Sequence, residues 1–365
     1  MGWMADESGL GKNAANYVPL TPLSHLRRAA CLYHEREALI DRARRLTYGE
    51  MYARVSRLAS ALIRRGIRPG EVVATLMPNV LAHVEASWGV PASGAVLNTI
   101  NMRLDVETVA YIFAHGEARM VLVDTAFLPL AEAAIAAMEG EGPEIVEVAD
   151  PQAGHPASGR YLEYEDLLEE GDPQFDWVMP EDEWESLALN YTSGTTGRPK
   201  GVVYHHRGAY LNTMGTAMSW HVPLFARYLT IVPLFHCNNW NHVWMIPTMG
   251  GTMVCCRDIT AGAVYDAIAD EGVTHFGGAP IVLNMLIHAD ASERRDFDHI
   301  VNVFTAGAPP PAATLKAIEP LGFNVTQVYG LTESYGHAVD CIWQGGEWDA
   351  LPDEDRYAIK ARTGV

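Results

Sequence analysis

The segment from Thr192 to Lys200 reads TSGTTGRPK and combines glycines, hydroxyl side chains and one lysine within nine residues. Such a segment presents several backbone N–H groups and hydroxyls within a small volume, and the lysine adds a positive charge. These groups together suit the oxygen atoms of a phosphate. The spacing is not that of a Walker A loop, because the pattern GxxxxGK[ST] begun at Gly194 requires glycine at position 199, where the chain has Pro199. We therefore predict a phosphate-binding loop of another kind, with a flexible surface turn as the alternative.

A threonine and a glutamate follow the apolar run at residues 324–330. This run predicts a strand, so Thr332 and Glu333 stand where ligands of open α/β sheets usually bind. A carboxylate beside phosphate groups is repelled unless a cation lies between them, and Glu333 is therefore interpreted as a magnesium ligand. Taken alone, a Thr-Glu pair is more typical of a helix start.

Short apolar runs supply the strands that would position these residues. They lack strict alternation of apolar and polar residues, which is typical of strands buried on both faces. The runs span residues 71–77, 119–124, 187–192, 228–234, 251–256, 300–306 and 324–330.

Helical patterns lie between the apolar runs. One helix is predicted to open at Thr21, with Pro22 in its first position. A second is predicted to open at Thr47, which has the capping-box spacing to Glu50, and to end near Gly66. The alternation of strands and helices predicts an α/β fold with largely parallel sheets covered by helices.

The segment 141–186 is rich in glycine, proline and acidic residues. This composition predicts a connection between two α/β subdomains, residues 1–140 and 187–340. Its acidic run is more typical of a solvated face than of an interaction tail. Residues 341–365 are interpreted as a tail, because no closing element follows the helical run at 354–362, and we expect a truncated chain.

Charge and cysteine usage restrict the partners and the compartment. The 365 residues carry a formal net charge of −19 at pH 7, which disfavours nucleic acid and anionic membrane surfaces as partners. The five cysteines show no CxxC or zinc-ligand spacing, which favours a reducing, cytoplasmic location. No targeting segment and no run of about 18 apolar residues is found, so we expect no stable membrane insertion.

Four segments, in the same order along the chain, resemble the motifs of the adenylate-forming (AMP-binding) superfamily. They are YTSGTTGRPKG (191–201), VPLFHCNNW (232–240), TAGAPPP (305–311) and QVYGLTES (327–334). Together with LNTINMRLD (97–105), the resemblance extends from about residue 20 to the end of the chain, and it is closest to medium-chain and methylmercaptopropionate-CoA ligases. It implies the large N-terminal domain of that family, with two helix-covered, largely parallel β-sheet subdomains, truncated before the β-barrel and the small C-terminal domain.

The resemblance also implies a set of site residues for each motif. The ATP-binding residues are expected to be Thr192, Ser193, Gly194, Thr195, Thr196, Gly197, Lys200, Gly307, Ala308, Pro309, Gln327, Val328, Tyr329, Gly330 and Thr332. The acid-binding residues are expected to be His236, Trp240, Gly277, Gly278, Ala306 and Gly307. Catalytic roles are implied for Lys200, His236, Thr332 and Glu333, and Mg²⁺ is expected at Thr192 and Glu333.

Four of these assignments carry an open question. A neutral His236 could orient the reacting carboxylate and a protonated one could offset charge at the α-phosphate, and the sequence leaves both open. Trp240 resembles the tryptophan that closes the acyl tunnel of fatty-acid members, with simple packing on the next helix as the alternative. Tyr329 is expected to stack on adenine, with a core tyrosine as the alternative. Ala306 stands where close relatives more often have glycine, so the acceptable chain length is open.

The activity that the resemblance implies is ATP-dependent activation of a carboxylic acid to an acyl-adenylate and then to acyl-CoA, with ATP, Mg²⁺ and CoA. Segment 275–286 contains no carboxylate to meet an ammonium group, which favours a short- or medium-chain apolar acid over an amino acid. The lysine of the family's C-terminal domain is not found here, so we expect impaired catalysis. The alternative is a non-catalytic nucleotide- or acyl-binding fragment. The partners are expected to be small molecules, and a homodimer stays open.

Overall fold

Two β-sheets organise the residues that the computed structural model describes, which are residue 9 and residues 11–192 and 197–364. The strands are β1 (Glu37–Asp41), β2 (Arg44–Thr47), β3 (Val72–Leu76), β4 (Val96–Thr99), β5 (Ala118–Asp124), β6 (Glu144–Val148), β7 (Leu162–Glu163), β8 (Ser186–Tyr191), β9 (Gly201–His205), β10 (Arg227–Thr230), β11 (Thr252–Cys255), β12 (His275–Gly278), β13 (Val301–Thr305), β14 (Phe323–Leu331) and β15 (Gly336–Asp340). The first sheet has the order β15-β14-β13-β12-β10-β11-β1-β2, and the second has the order β7-β6-β5-β3-β4-β8-β9. The pairings are parallel except at β2, β9 and β15, so the predicted α/β fold with largely parallel sheets is confirmed.

Helices cover both sheets. They are α1 (Leu23–Leu32), α2 (Tyr48–Arg64), α3 (Leu81–Ala92), α4 (Val106–His115), α5 (Leu128–Ala136), α6 (Tyr164–Glu169), α7 (His206–Ser219), the short element α8 (Cys237–Trp240), α9 (His242–Thr248), α10 (Ala261–Glu271), α11 (Pro280–Ile287), α12 (Ala312–Ile318) and α13 (Asp353–Lys360). Within the described ranges, no helix combines the length and the apolar character needed to cross a membrane.

The start of α2 shows why the chain becomes helical at this point. The Thr47 hydroxyl accepts a hydrogen bond from the Glu50 backbone N–H at 3.2 Å, and the Glu50 carboxylate accepts one from the Thr47 N–H at 2.8 Å. This reciprocal pair satisfies two donors that a helix start would otherwise leave free, and the predicted capping box is confirmed. α1 begins one residue later than predicted, because Pro22 is its N-cap.

The largest hydrophobic core lies between the two sheets. Every residue of α3 is buried, because this helix packs between strands of both sheets and the helices beside it. Trp88 of α3 meets Trp244 of α9 edge to face, with ring centroids 4.9 Å apart. Two smaller cores cover the outer faces of the sheets. The sheets therefore hold their strand ends in fixed positions relative to each other.

The sheets do not follow the predicted division at residues 140 and 187. β1 belongs to the first sheet, where Leu39 pairs with Met253, although it precedes residue 140. β8 and β9 follow residue 185 but belong to the second sheet. The segment 141–186, which we expected to be a connection, contributes the strands β6 and β7 to that sheet and also forms the helix α6. Because the segment is rich in glycine, proline and acidic residues, its composition did not reveal β6 or the two-residue edge strand β7.

The tail at 341–365 contains a docked helix. Tyr357 of α13 is buried, and its hydroxyl donates a hydrogen bond to the Glu319 carboxylate at 2.9 Å. Lys360 forms an ion pair with the same carboxylate. These contacts attach α13 to the end of α12.

Candidate functional site

A cavity of about 690 Å³ opens at the carboxyl ends of β10, β12, β13 and β14. Parallel sheets usually bind their ligands at such an edge. The apolar part of the lining includes Ile231, Val232, Ile259, Ile281, Val282 and Met285. His236 and Thr332 line the same cavity, so an apolar wall and polar groups face one continuous space.

The structure brings residues of three predicted motifs to this cavity. The predicted residues in the lining are His236, Trp240, Gly278, Ala306, Gly307, Val328, Gly330 and Thr332. The predicted residues absent from the lining include Gln327, which is buried next to Val328 in β14, and Ala308 and Pro309, which are exposed in the turn after β13. Tyr329 is 45% exposed, which contradicts the core-tyrosine alternative and leaves its ring free to stack on a ligand.

The predicted phosphate loop is the connection of a β-hairpin. β8 and β9 pair antiparallel, with Tyr191 opposite Gly201. The backbone of Thr192 donates to the Lys200 carbonyl at 3.0 Å, and the Lys200 N–H donates to the Thr192 hydroxyl at 3.1 Å. Gly197 and the Lys200 side chain are exposed, and neither belongs to the cavity lining. Ser193, Gly194, Thr195 and Thr196 lie outside the described residues.

Residues 237–241, which we call the left-handed turn, carry Trp240 into the cavity wall. The backbone φ angles are 45° at Cys237, 49° at Asn238, 60° at Asn239, 51° at Trp240 and 69° at Asn241. Hydrogen bonds from Trp240 N to His236 O at 2.9 Å and from Asn241 N to Cys237 O at 2.8 Å close the turn. This conformation costs about 1 kcal/mol per residue, with asparagine tolerating it best. Three asparagines in CNNWN were the signal for it, but sequence reasoning missed the turn.

Gly277 supports Trp240 from behind. A Cβ atom at position 277 would lie 2.9 Å from Cγ2 of Val232 and 3.2 Å from the indole of Trp240. Glycine is therefore required for the indole to rest against β12. Gly277 itself is absent from the cavity lining, so its predicted contact with the acid becomes an indirect one through Trp240.

His236 faces the cavity beside Arg103. The ring is accessible from the cavity, but the surrounding protein and, to a smaller extent, the positive charge of Arg103 lower its pKa from 6.5 to about 4. Both influences disfavour the protonated form. His236 is therefore neutral at pH 7, which favours the orienting role over the charge-offsetting one.

A short turn follows β14 and presents Glu333. Residues 332–335, which we call the 332–335 turn, close with a hydrogen bond from Tyr335 N to Thr332 O at 3.1 Å. The Glu333 side chain is exposed and has no hydrogen-bond or ion-pair partner within residues 11–192 and 197–364. Magnesium in nucleotide sites is usually held by one or two carboxylates together with substrate phosphates. A carboxylate whose oxygens are available fits that ion.

Comparison with known proteins now decides the family. The chain matches the AMP-binding enzyme family over residues 26–363. The chain belongs to this family. The predicted resemblance to adenylate-forming enzymes is thereby confirmed, whereas the roles of individual residues stay predictions.

The relatives of this family member include named CoA ligases. It is 44% identical to acetate–CoA ligase CCL3 of Humulus lupulus over 99% of its own length, and 42% identical to 2-methylpropanoate–CoA ligase CCL4 of the same plant over 96%. The chain spans 65% and 64% of the length of these relatives. Among solved structures, the N-terminal domain of FACL13 from Mycobacterium tuberculosis is 28% identical, with a TM-score of 0.75 and coverage of 88% of this chain and 79% of that one.

Three residues with polar side chains in the cavity lining were not predicted as site residues of this family member. Arg103, from the segment LNTINMRLD, reaches the lining beside His236. Cys237 and His337 also line the cavity; Cys237 lies within the motif at 232–240, and His337 follows the motif at 327–334 by three residues. The position of Arg103 in this segment was a usable signal, because the single cation of the segment suits an anionic ligand.

A buried pair of histidines lies at the side of the cavity where Trp240 stands. Nε2 of His242 and Nε2 of His337 are 3.0 Å apart, and Nδ1 of His242 is 2.8 Å from the Tyr228 hydroxyl. Burial lowers the pKa of His337 to about 3 and also lowers that of His242. Both rings are therefore neutral at pH 7 and add no charge to this part of the wall.

Proposed function

We propose that this chain forms the acid- and ATP-binding site of an AMP-forming acid–thiol ligase, which converts a carboxylic acid to an acyl-adenylate and then to acyl-CoA. The observation that carries the proposal is the single cavity in which an apolar wall, the neutral imidazole of His236 and the 332–335 turn meet. The named relatives act on acetate and 2-methylpropanoate, in agreement with this chemistry.

The first half-reaction is displacement at phosphorus. A carboxylate oxygen of the acid attacks the α-phosphorus of ATP, the bond to the bridging oxygen breaks, and pyrophosphate leaves. Such a reaction depends mainly on in-line positioning and on neutralisation of charge. The neutral ring of His236 donates one N–H to orient the carboxylate of the acid. The positive charge of Arg103 offsets the negative charge of that carboxylate.

The remaining charge lies on the phosphates. The exposed Lys200 and the backbone N–H groups of the loop at 192–200 bind the β- and γ-phosphates. Glu333, together with Thr192, would hold Mg²⁺, which would supply positive charge for the departing pyrophosphate. Tyr329 offers its exposed ring to adenine, opposite the turn at 307–309.

The lining selects the acid. Its aliphatic residues and the neutral histidine pair offer no partner for a second charge, so a charged group on the acid would lose its hydration without compensation. We infer a short- or medium-chain apolar acid. The methyl group of Ala306 in the cavity wall narrows the space near the carboxylate end of the bound acid.

A second candidate follows from the length of the chain relative to its relatives. A chain that spans 65% of acetate–CoA ligase CCL3 could bind ATP and the acid without turnover. In that case transfer to CoA, whose binding residues we do not assign, depends on further parts of a longer protein. A cytosolic location stays a prediction, since four of the relatives are named as peroxisomal.

Acid-dependent exchange of labelled pyrophosphate into ATP separates the two candidates. The proposal predicts exchange with butyrate that is lost in Lys200→Ala and Glu333→Gln. Glu354→Gln is the matched control, because Glu354 is an exposed carboxylate on α13. Binding of ATP without exchange in the unaltered chain would leave only the second candidate.

A further inference from the structure

Two stacked tyrosines lie where three motifs of the proposed site meet. Tyr204 belongs to β9, which continues from the loop at 192–200, and Tyr335 closes the 332–335 turn. Their rings are nearly parallel, with centroids 3.7 Å apart. The Tyr204 hydroxyl donates to the Thr332 carbonyl at 2.7 Å, so β9 holds the 332–335 turn in place.

The hydroxyl of Tyr335 connects this turn to the left-handed turn. It accepts a hydrogen bond from Nε1 of Trp244 at 2.7 Å and donates one to Oδ1 of Asn238 at 2.9 Å. Asn212 holds the Tyr335 backbone carbonyl from the other side at 2.8 Å. All three side chains that touch Tyr335 through the ring or hydroxyl are buried, so these bonds have little competition from water.

The left-handed turn needs such support. Strained backbone persists only where surrounding contacts hold it, and strained segments are common where binding depends on conformation. Asn238 is completely buried and lies in the centre of the turn that carries Trp240. Gly336, which follows Tyr335, lies against the Trp240 backbone, since a Cβ there would be 3.2 Å from the Trp240 carbonyl oxygen.

We propose that Tyr335 is a positioning residue that couples nucleotide binding to the conformation of the acid pocket. A nucleotide bound at Thr332 and Glu333 fixes the 332–335 turn and with it the Tyr335 ring. The Tyr335 hydroxyl then holds Asn238, and thereby Trp240, in the left-handed conformation. By thermodynamic reciprocity, an acid that binds against Trp240 strengthens nucleotide binding. This inference rests on the proposed function, because it requires the nucleotide to bind at the 332–335 turn.

Hydrogen–deuterium exchange of the whole chain tests the coupling without any acid. The probe is α,β-methylene-ATP with Mg²⁺, and its binding is first measured by calorimetry. In the unaltered chain, saturating nucleotide should slow exchange of the Trp240 and Asn241 amides by at least about fivefold, the lower end of typical couplings. In Tyr335→Phe, which keeps the stacked ring, exchange at these amides should be faster and the effect of the nucleotide should disappear.

Two further variants distinguish coupling from loss of stability. Tyr48→Phe removes another buried tyrosine hydroxyl, one that donates to the Gly251 carbonyl, and it should retain the nucleotide effect. Tyr204→Phe frees the Thr332 carbonyl and also removes the 3.7 Å contact of this hydroxyl with Sγ of Cys237, and it should weaken the effect. It also replaces Tyr335→Phe as the deciding variant if that protein does not fold.

The outcomes separate this inference from the proposed function. If the nucleotide does not bind the unaltered chain, the proposed function fails and the coupling fails with it. If the nucleotide binds but leaves exchange at residues 240 and 241 unchanged, or if the tyrosine variants keep the full effect, the coupling is overturned and the proposed function stands.

Discussion

Replacement of Trp240 by alanine should shift the preferred acid towards longer chains. The indole is half-buried in the cavity wall and is supported by Gly277 and Val232. Its removal opens space that is continuous with the aliphatic lining. An acid that extends into this space gains about 0.8 kcal/mol per buried methylene, or about fourfold in affinity. Octanoate has four more methylenes than butyrate, so the upper limit of the shift is about 3 kcal/mol, on the order of 100-fold in preference.

The assay is pyrophosphate exchange with acetate, butyrate and octanoate. We expect kcat/KM for octanoate to rise relative to butyrate in Trp240→Ala, while the affinity for ATP measured without acid changes by less than about twofold. Trp184→Ala is the control, because that indole is 67% exposed on the surface. If exchange is absent, equilibrium dialysis of labelled octanoate and butyrate gives the same comparison. A changed affinity for ATP with an unchanged acid preference would refute the role of Trp240 as a gate.

Three other substitutions or conditions have defined outcomes. Gly330→Ala places a Cβ atom 1.7 Å from a carbonyl oxygen of β15, so it should lower the free energy of unfolding by about 3 kcal/mol. Gly215→Ala is the control, because its Cβ atom meets no other atom within 4 Å and should not destabilise the protein. Urea titration measures the free energy of unfolding of both variants. Arg103→Ala should raise KM for the acid about tenfold and raise the pKa of His236. Arg103→Lys should bring both KM and this pKa part of the way back to their original values. A pH profile of exchange that is the same in Arg103→Ala as in the unaltered chain would contradict this prediction. Burial lowers the pKa of His83 from 6.5 to about 4, so its unfolded form binds more protons in that window and stability should fall as pH decreases from 6.5 to 4. Urea titrations should show a smaller difference in the free energy of unfolding between pH 7 and pH 5 in His83→Gln than in the unaltered chain. An equal difference in the two proteins would contradict the role assigned to His83.

Local signals in the sequence were reliable wherever a few neighbouring residues determine the backbone. The capping box at Thr47 and Glu50 is one example, because both partners lie within one helical turn. The buried strand β5 is another example. Its seven residues show little alternation of apolar and polar side chains, which is typical of a strand covered on both faces. The motifs also indicated which strand ends form the cavity, because parallel strands present their carboxyl ends at one edge.

Contacts between distant segments could not be predicted in this way. The assignment of β1 to the first sheet depends on its pairing with β11, and neither strand carries a sign of its partner. The left-handed turn depends on bonds from Tyr335 and Thr213 to Asn238 and Asn241. Asparagine in CNNWN permits that backbone, but only the tertiary contacts select it. The protein that surrounds His236 and is the main cause of its lowered pKa comes from distant segments, so the neutral state of this ring likewise required the structure.

The pairing of β1 with β11 has a consequence for synthesis of the protein. Leu39 and Ile40 lie beside Met253 and Val254, so a strand made early must wait until more than 200 further residues have been added. Contacts of such sequence separation slow folding, and unpaired apolar strands promote aggregation during the delay. β1 and β2 together therefore form a hairpin whose apolar residues need protection on the ribosome, and nascent chains that end before β11 should be far more prone to aggregate than chains that include it.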